Sequence, residues 1–271
     1  MGQSWAHEMT LIPAKARIEV TDADDFTACV CTFNSAKTLE RSLRSIRRVA
    51  PRSRLIVVDH YSEDETTRIA KRFSAEVFSE ARGLGHARQL CFDLTNTEYL
   101  VFVDSDVEII RGDFLQIAKQ ILAKNSGCGA VVGMASGRRF RYGLPAGLLV
   151  LRKSDFEGKF VPDYVDARET FFIQRRLRSL GLTVCYVHDS MIHRSQFRKF
   201  KPEWEGANTR LLPDSAPRQL LLALETIILL SLNSHSLKTI AYIPIFYLKF
   251  LRGFINPVPW IRLNRTGGDL P

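Results

Sequence analysis

The sequence has few cysteines and none in a paired spacing. It contains five, an odd number, and none of them forms a CxxC motif. This pattern excludes a disulfide scaffold, and we expect the five side chains to be buried thiols of a protein in a reducing compartment. The opening fifteen residues lack an apolar segment, so we expect no secretory signal. No internal repeat or low-complexity segment is present either.

What the sequence does contain is the composition of a globular protein, with 45% hydrophobic and 25% charged residues among 271. That length suits one large α/β domain with an appendage, or two small domains. The net charge of +9 is uneven, because residues 171–271 hold 14 basic and 6 acidic side chains, a local charge of +8. A localised basic excess indicates an anionic partner such as a membrane surface. The excess accompanies apolar residues and not stacking aromatics, so nucleic-acid binding is disfavoured.

Short apolar segments alternate with helical patterns from residue 26 to about residue 125. FTACVCTF, RLIVVD and EYLVFVDSD predict strands, and AKTLERSLRSIRRVA, GLGHARQLCFDLTN and GDFLQIAKQILAKN predict helices. SEDETTRIAKRF predicts a further helix that begins with a capping box of Ser62 and Glu65. The strands are too apolar to leave one face in water. The pattern therefore predicts a mostly parallel sheet with helices on both faces.

Polar side chains follow three of the predicted strands, where ligands bind in open parallel sheets. Thr32 and Asn34 end the first strand, Asp59 ends the second, and Asp104 and Asp106 end another. Two carboxylates that are two residues apart beside a buried strand favour a divalent cation, with Mn²⁺ or Mg²⁺ shared with substrate phosphates. Asp59 has the acceptor oxygens that a ribose or a nucleobase requires. We therefore expect these side chains to converge in one crevice.

The C-terminal part changes character after residue 217. Two strongly apolar segments, 219–232 and 240–254, predict helices. The first is about 21 Å long, short of the roughly 30 Å of a bilayer core, and Pro244 interrupts the second. Basic flanks with tyrosine and tryptophan nearby predict an interfacial membrane anchor. The alternative is a helical hairpin packed on the domain or in a dimer interface.

Four linked motifs, CTFNSAKTLERSLRSI, LIVVDHYSEDET, GLGHARQ and LVFVDSDVEI, resemble those of family 2 glycosyltransferases with the GT-A fold. The resemblance covers about residues 27–196 and implies a nucleotide-sugar donor, a divalent metal and inversion at the anomeric carbon. It implies that the donor is held by Thr32, Asn34, Asp59, Arg88 and Asp104. It also implies that the metal is held by Asp106, Asp104 and His193, with Asp106 the direct ligand.

The general base is less clearly marked, because the sequence departs from the family pattern at that point. The family supplies a Glu-Asp pair at the start of a helix that ends in Arg-Leu-Arg-x-x-Gly. Here Glu169 matches the glutamate, whereas Thr170 stands in place of the aspartate. Inversion needs a carboxylate that takes the acceptor proton, so Glu169 is the first candidate and Asp166 the second.

The resemblance and the apolar tail together define the expected organisation. We divide the chain into an N-terminal extension (1–25), a GT-A domain (26–205) and an apolar helical region that associates with the membrane (206–271). No Gln-x-x-Arg-Trp segment of processive relatives is present, so we expect the addition of one sugar. The expected acceptor is a polyprenyl phosphate or a lipid-linked saccharide at the cytoplasmic face of the membrane. The alternative is a soluble enzyme with a non-lipid acceptor and its tail in a homodimer interface.

Overall fold

A computed structural model describes residues 25–136, 144–156, 158, 161–162, 165, 168–194, 201–233 and 237–260 of the chain. The strands are β1 (Phe26–Thr32), β2 (Arg54–Asp59), β3 (Glu76–Ser79), β4 (Tyr99–Val103), β5 (Val107–Ile109), β6 (Cys128–Gly133), β7 (Leu148–Arg152), β8 (Thr183–Val187) and β9 (Met191–His193). The helices are α1 (Ala36–Val49), α2 (Thr66–Arg72), α3 (Leu84–Leu94), α4 (Phe114–Lys124), α5 (Glu169–Ser179), α6 (Pro202–Arg210), α7 (Ala216–Asn233) and α8 (Leu237–Ile255). Most of the predicted extension, residues 1–24, lies outside the described residues.

Seven strands form the main sheet in the order β3-β2-β1-β4-β7-β6-β8. Every pairing is parallel except those of β7, which is antiparallel to β4 and β6. This confirms the predicted α/β fold with a mostly parallel sheet. The direction of β7 was not predicted, because a strand buried on both faces reads as a continuous apolar segment in either direction. A short second sheet pairs β5 with β9.

Alternate residues of the central strands pack into two separate cores, one on each face of the sheet. On β4, Tyr99, Val101 and Val103 join the core that includes Leu39, Leu43 and Ile46 of α1. Leu100 and Phe102 point to the other face and join the core that includes α3 and α5. Each fully buried aliphatic side chain contributes roughly 1.5–3 kcal/mol, so both helix layers hold the sheet. This arrangement confirms the prediction of helices on both faces.

The expected capping box at the start of α2 was wrong. Ser62 does not cap the helix, because its N–H and hydroxyl both donate to the Asp59 carboxylate, at 2.8 and 2.6 Å. Asp64 is the side chain that accepts from the Thr66 N–H instead, at 3.0 Å. Ser62 thus bonds to Asp59 at the end of β2 and not to the helix, and α2 begins at Thr66.

The cysteines follow the prediction at three of five positions. Cys29 and Cys91 are buried free thiols and Cys31 is a half-buried one. Cys128 and Cys185, on the neighbouring strands β6 and β8, are paired as a disulfide, with α-carbons 6.4 Å apart. The expectation of five free thiols fails at this pair because β6 and β8, which are far apart in sequence, are adjacent in the sheet.

Three helices complete the C-terminal part of the described chain. Helices α7 and α8 form where the two apolar segments predicted helices, and α8 continues through Pro244 without interruption. Proline removes one helix hydrogen bond, but packing of α8 against α6 holds the segment together. Gly206 of α6 and Gly253 of α8 sit at this contact, where a methyl group on either glycine would overlap the backbone of the other helix. No helix among the described residues is both long and apolar enough to cross a membrane.

Candidate active site

The ends of β1 and β2 meet through a buried hydrogen bond. Thr32 and Asp59 are direct partners in the parallel ladder, and the Thr32 hydroxyl donates to Asp59 Oδ1 at 2.6 Å. Asp59 is only 1% exposed and also accepts both hydrogen bonds from Ser62. The structure therefore brings Thr32 and Asp59 together as predicted, but both are buried and already bonded to protein groups. Their contact with a donor stays a prediction.

Asn34 ties the loop after β1 to the loop after β2. It adopts a left-handed backbone with φ of 46°, a conformation that asparagine tolerates well. Its N–H donates to Ser62 Oγ at 2.8 Å, and its side-chain oxygen accepts from the Glu63 N–H at 3.0 Å. Next to it, Ser35 Oγ lies 3.0 Å from Ser105 Oγ in the loop after β4. The three polar strand ends thus converge, as the sequence predicts.

Asp64 provides a further tie between the same loops. Its carboxylate accepts from the N–H groups of Ala36 and Thr66 and from the Thr66 hydroxyl. Desolvation raises the pKa of Asp64, but these hydrogen bonds outweigh it and leave the pKa below its ordinary value. The ionised form of this exposed acid therefore orders the rim of the crevice.

The two aspartates after β4 form a cluster with a histidine from a distant part of the chain. Pairing of β5 with β9 sets Val107 opposite His193. Ligand atoms of Asp104, Asp106 and His193 all lie within 4.8 Å of one another, and all three residues are half-buried. His193 Nδ1 is 3.4 Å from Asp106 Oδ2. Two carboxylates and one imidazole form a donor set that fits Mn²⁺ or Mg²⁺ with positions left for phosphate oxygens.

Arg88 of α3 connects this cluster to the start of α5. Its Nη2 lies 2.7 Å from Asp104 Oδ1, and its Nε lies 3.6 Å from Glu169 Oε1. The guanidinium is buried over the Phe102 ring, 4.6 Å from its centroid. Desolvation acts to lower the pKa of Arg88. The opposing effect of nearby acidic groups is larger and leaves the pKa above its ordinary value, so the guanidinium stays charged; these groups include Cys31, Asp104 and Glu169. Nη1 is buried and has no hydrogen-bond acceptor.

Of the two candidates for the base, the structure describes only Glu169. Glu169 is the first residue of α5, is buried, and reaches the site through Arg88. Gly85 at the start of α3 supports the segment before α5, because its N–H donates to the Val165 carbonyl at 2.7 Å. Asp166 lies outside the described residues. The structure therefore connects Glu169 to the acidic cluster through Arg88, and its role as the base stays a prediction.

Sequence reasoning missed one further acid at a strand end. Glu80 directly follows β3, is buried, and lies 2.8 Å from His60 Nδ1. Its other oxygen accepts from the N–H groups of Arg82 and Gly83, at 2.7 and 2.8 Å, which fixes the loop that leads into α3. The same strand-end logic that marked Asp59 and Asp104 applies to Glu80 and would have found it.

The carboxyl ends of a mostly parallel sheet here bring together acids, an imidazole and a buried arginine, at the position where ligands bind in open α/β sheets. The family model of glycosyl transferase family 2 matches residues 27–200, well over half of the chain. The chain belongs to this family and is a glycosyltransferase, as its motifs predicted. No curated protein matches the sequence significantly.

Solved structures of one enzyme share the fold. Glucosyl-3-phosphoglycerate synthase from Mycobacterium tuberculosis, in complex with Mn²⁺, UDP and glucosyl-3-phosphoglycerate, is similar at 20% identity and a TM-score of 0.53, covering 64% of this chain and 73% of that one. Its complex with Mn²⁺, UDP-glucose and phosphoglyceric acid is similar at 19% identity and a TM-score of 0.54, covering 70% and 79%. Its complex with Mg²⁺ and UDP is similar at 19% identity and a TM-score of 0.52, covering 64% and 73%. At these identities the similarity establishes the GT-A-like fold.

Proposed function

We propose that this glycosyltransferase moves one sugar, with inversion, from a nucleotide-diphosphate-sugar donor to a lipid-borne acceptor at the cytoplasmic face of a membrane. One observation carries the proposal: Asp104, Asp106 and His193 form one cluster, and Arg88 joins that cluster to Glu169. A metal site, a cation for phosphate oxygens and a carboxylate base are the groups that such a displacement requires.

The donor side of the proposal assigns a role to each strand end. Thr32, Asn34 and Asp59 hold the nucleoside, either directly or by ordering the loops above it. Arg88 neutralises diphosphate charge, and its unpartnered Nη1 supplies a buried donor for an oxygen of the donor molecule. The enzyme of similar fold binds UDP with Mn²⁺ or Mg²⁺, which supports a uridine diphosphate donor here.

Asp106, Asp104 and His193 would hold Mn²⁺ or Mg²⁺. The ion would supply positive charge to the departing diphosphate, which is the chemistry that such a leaving group needs. The half-burial of the three ligands supports this assignment, because it leaves room for phosphate oxygens while excluding bulk water from one side of the site.

Glu169 is the proposed general base, with Asp166 as the second candidate. In the displacement, the acceptor hydroxyl oxygen bonds to the anomeric carbon while the carboxylate takes its proton and the diphosphate leaves. Arg88 orients Glu169 from the donor side, so the base and the leaving group share one buried cation. A single displacement without a covalent intermediate is what the family resemblance implies.

Exposed apolar side chains on α7 and α8 support a membrane-bound acceptor. Tyr242, Ile245, Leu248 and Ile255 follow one another at helical spacing along the exposed side of α8, and Leu248 and Ile255 are 67% and 79% exposed. The exposed Lys249 and Arg252 lie among them. An apolar helix face with interspersed basic residues suits the headgroup region of an anionic bilayer.

The alternative is a non-lipid acceptor, with the same face covered by a second copy of the chain. The phosphoglyceric acid in complexes of the similar enzyme is a non-lipid molecule, which favours this alternative on the acceptor side. The basic residues on α8 favour the membrane instead, because two copies of one basic face would repel each other.

A donor screen tests the proposed activity. Purified protein is incubated with Mn²⁺ and a panel of UDP-, GDP- and dTDP-sugars, and the released nucleoside diphosphate is measured. We expect slow hydrolysis of one donor class, abolished by chelation of the metal and restored by Mn²⁺ or Mg²⁺. Release from none of the donors, or release that chelation leaves unchanged, would overturn the proposal.

A further inference from the structure

The start of α5 is held by an ion pair with α6, the first of the three C-terminal helices. Arg168 Nη2 lies 3.1 Å from Glu205 Oε2, and both side chains are about three-quarters shielded from solvent. Arg168 is the residue immediately before Glu169, the proposed base. The pair therefore connects the C-terminal helices to the residue next to the reaction centre.

Local structure alone does not explain why an arginine stands at position 168. The residue adopts a left-handed backbone with φ of 60°, a conformation that is costly for a side chain with a β-carbon. It also places a positive charge at the positive end of the α5 dipole, which is unfavourable. Its Nε is buried without a hydrogen-bond acceptor. Strain of this kind persists where the surroundings hold the residue in place, and it collects at functional sites.

Glu205 has a rigid support of its own. Gly206, the next residue, touches α8 so closely that a β-carbon would overlap the Phe250 carbonyl. The Glu205 carbonyl also accepts a hydrogen bond from the Thr209 hydroxyl at 2.7 Å. Because α6 is fixed against α8, the Glu205 carboxylate has a fixed position from which it can hold Arg168.

We propose that Glu205 is a positioning residue: by holding Arg168, it sets the first turn of α5 and so places the Glu169 carboxylate against Arg88. The inference rests on the proposed function, in which Glu169 is the base. Glu205 touches no reacting group in this scheme, and it acts through the chain Glu205, Arg168, Glu169, Arg88 and Asp104. The C-terminal helices thus contribute to catalysis as well as to attachment.

The test compares four full-length proteins: wild type, Glu205→Gln, the charge-swapped double variant Arg168→Glu with Glu205→Arg, and the control Glu203→Gln. Glu203 carries the same charge on the same helix and makes no side-chain ion pair among the described residues. The first measurement is backbone hydrogen exchange, without any substrate, of the amides that donate to carbonyls of the first turn of α5, namely Phe171, which donates to the Arg168 carbonyl, and residues 173–175. The second is kcat and KM for UDP release from the nucleotide sugar that the wild type hydrolyses with Mn²⁺.

We expect Glu205→Gln to speed exchange in the first turn of α5 by about tenfold and to lower kcat on the order of tenfold, with KM within about twofold. The double variant should recover most of both effects, and Glu203→Gln should show neither. Unchanged exchange in Glu205→Gln, no recovery in the double variant, or equal losses in Glu203→Gln would each overturn the inference. If the wild type hydrolyses no nucleotide sugar, the proposed function fails, and the exchange measurement alone decides whether Glu205 holds α5.

Discussion

Arg88 is the residue that connects the acidic cluster after β4 to the first residue of α5. Its flat guanidinium stacks on Phe102 while separate nitrogens face Asp104 and Glu169. Lysine offers a single point charge and could not make these three contacts at once. Because the group is buried and surrounded by acids, it stays charged throughout the pH range in which proteins are folded. The site therefore contains a permanent cation before any donor binds.

The metal ligands give the sharpest prediction at this scale. Asp106→Asn keeps the shape of the side chain but removes the negative charge and the strongest ligand oxygen. We expect Mn²⁺-dependent UDP binding, measured by calorimetry, and UDP release to weaken about a hundredfold or more. Asp155→Asn is the matched control. Asp155 pairs with Arg152, which lies opposite Tyr99 at the start of β4, at the other end of that strand from Asp106. Asp106→Asn protein that binds UDP and Mn²⁺ as the wild type does would show that the cluster holds no metal.

Individual residues differed in how far the sequence could predict their positions. Asp59, Asp104 and Asp106 were predictable because each follows a strand, and strand ends of a parallel sheet share one edge. His193 was identified only through family resemblance, because its pairing with Asp106 depends on a strand contact between distant parts of the chain. The contact between Arg88 and Glu169 joins α3 to α5, and no local pattern encodes that approach.

At the scale of elements, the sequence predicted the mostly parallel main sheet, but neither the short strands β5 and β9 nor the direction of β7. The apolar segment of β7 is buried on both faces, and such a pattern is the same for a parallel and an antiparallel strand. β7 pairs antiparallel with both of its neighbours, β4 and β6. Pro244 does not interrupt α8, although the sequence pattern predicts an interruption there. Packing of α8 against α6 outweighs the loss of one backbone hydrogen bond.

The contact between α6 and α8 yields a prediction about packing. Alanine is favoured over glycine in a helix by about 1 kcal/mol. At Gly206 or Gly253, however, the added methyl group would overlap backbone of the other helix, which cannot rotate away as a side chain does. Overpacking of this kind costs about 1–3 kcal/mol. We therefore expect Gly206→Ala and Gly253→Ala to lower the free energy of unfolding, measured with urea by the fluorescence of Trp204 in α6.

Gly112→Ala is the control for that experiment. A methyl group added at Gly112 would meet no other atom within 4 Å, so this substitution should change the free energy of unfolding by less than about 0.5 kcal/mol. If alanine at 206 and 253 proved equally neutral, the two helices would not pack as closely as the structure has them.

For the whole molecule, the distribution of surface properties matters more than any one contact. The acidic cluster lies at the carboxyl ends of the sheet, whereas six of the eleven exposed large apolar side chains among the described residues lie on α7 and α8. The acidic cluster and the apolar helices are thus in different parts of one chain. The sequence predicted that the C-terminal part is both basic and apolar, since residues 171–271 carry nearly all of the net positive charge together with both apolar segments.

Membrane attachment is the prediction at this scale. We expect the wild type to float with vesicles of phosphatidylcholine and phosphatidylglycerol, less so at high salt, because Lys249 and Arg252 are exposed among the apolar residues. The double variant Ile245→Ser with Leu248→Ser should bind at least about tenfold more weakly, since each change removes roughly 1.5 kcal/mol of apolar burial.

Leu180→Ser serves as the control, since Leu180 is an exposed leucine beside α5 and away from α8. Equal flotation of wild type and the double variant would refute attachment through this face. A wild-type dimer that the same double variant dissociates, with no flotation, would favour the second copy as the occupant instead.

The pairing of β5 with β9 also fixes when the site can exist during synthesis. Asp104 and Asp106 leave the ribosome early, and β1, β2 and β4 can already pair once they have emerged. The imidazole of His193 arrives only after β6, β7 and β8 have been made. A nascent chain therefore carries the two acids without the imidazole while residues 107–192 are made, and the three-residue cluster can form only after all the strands of the main sheet have been synthesised.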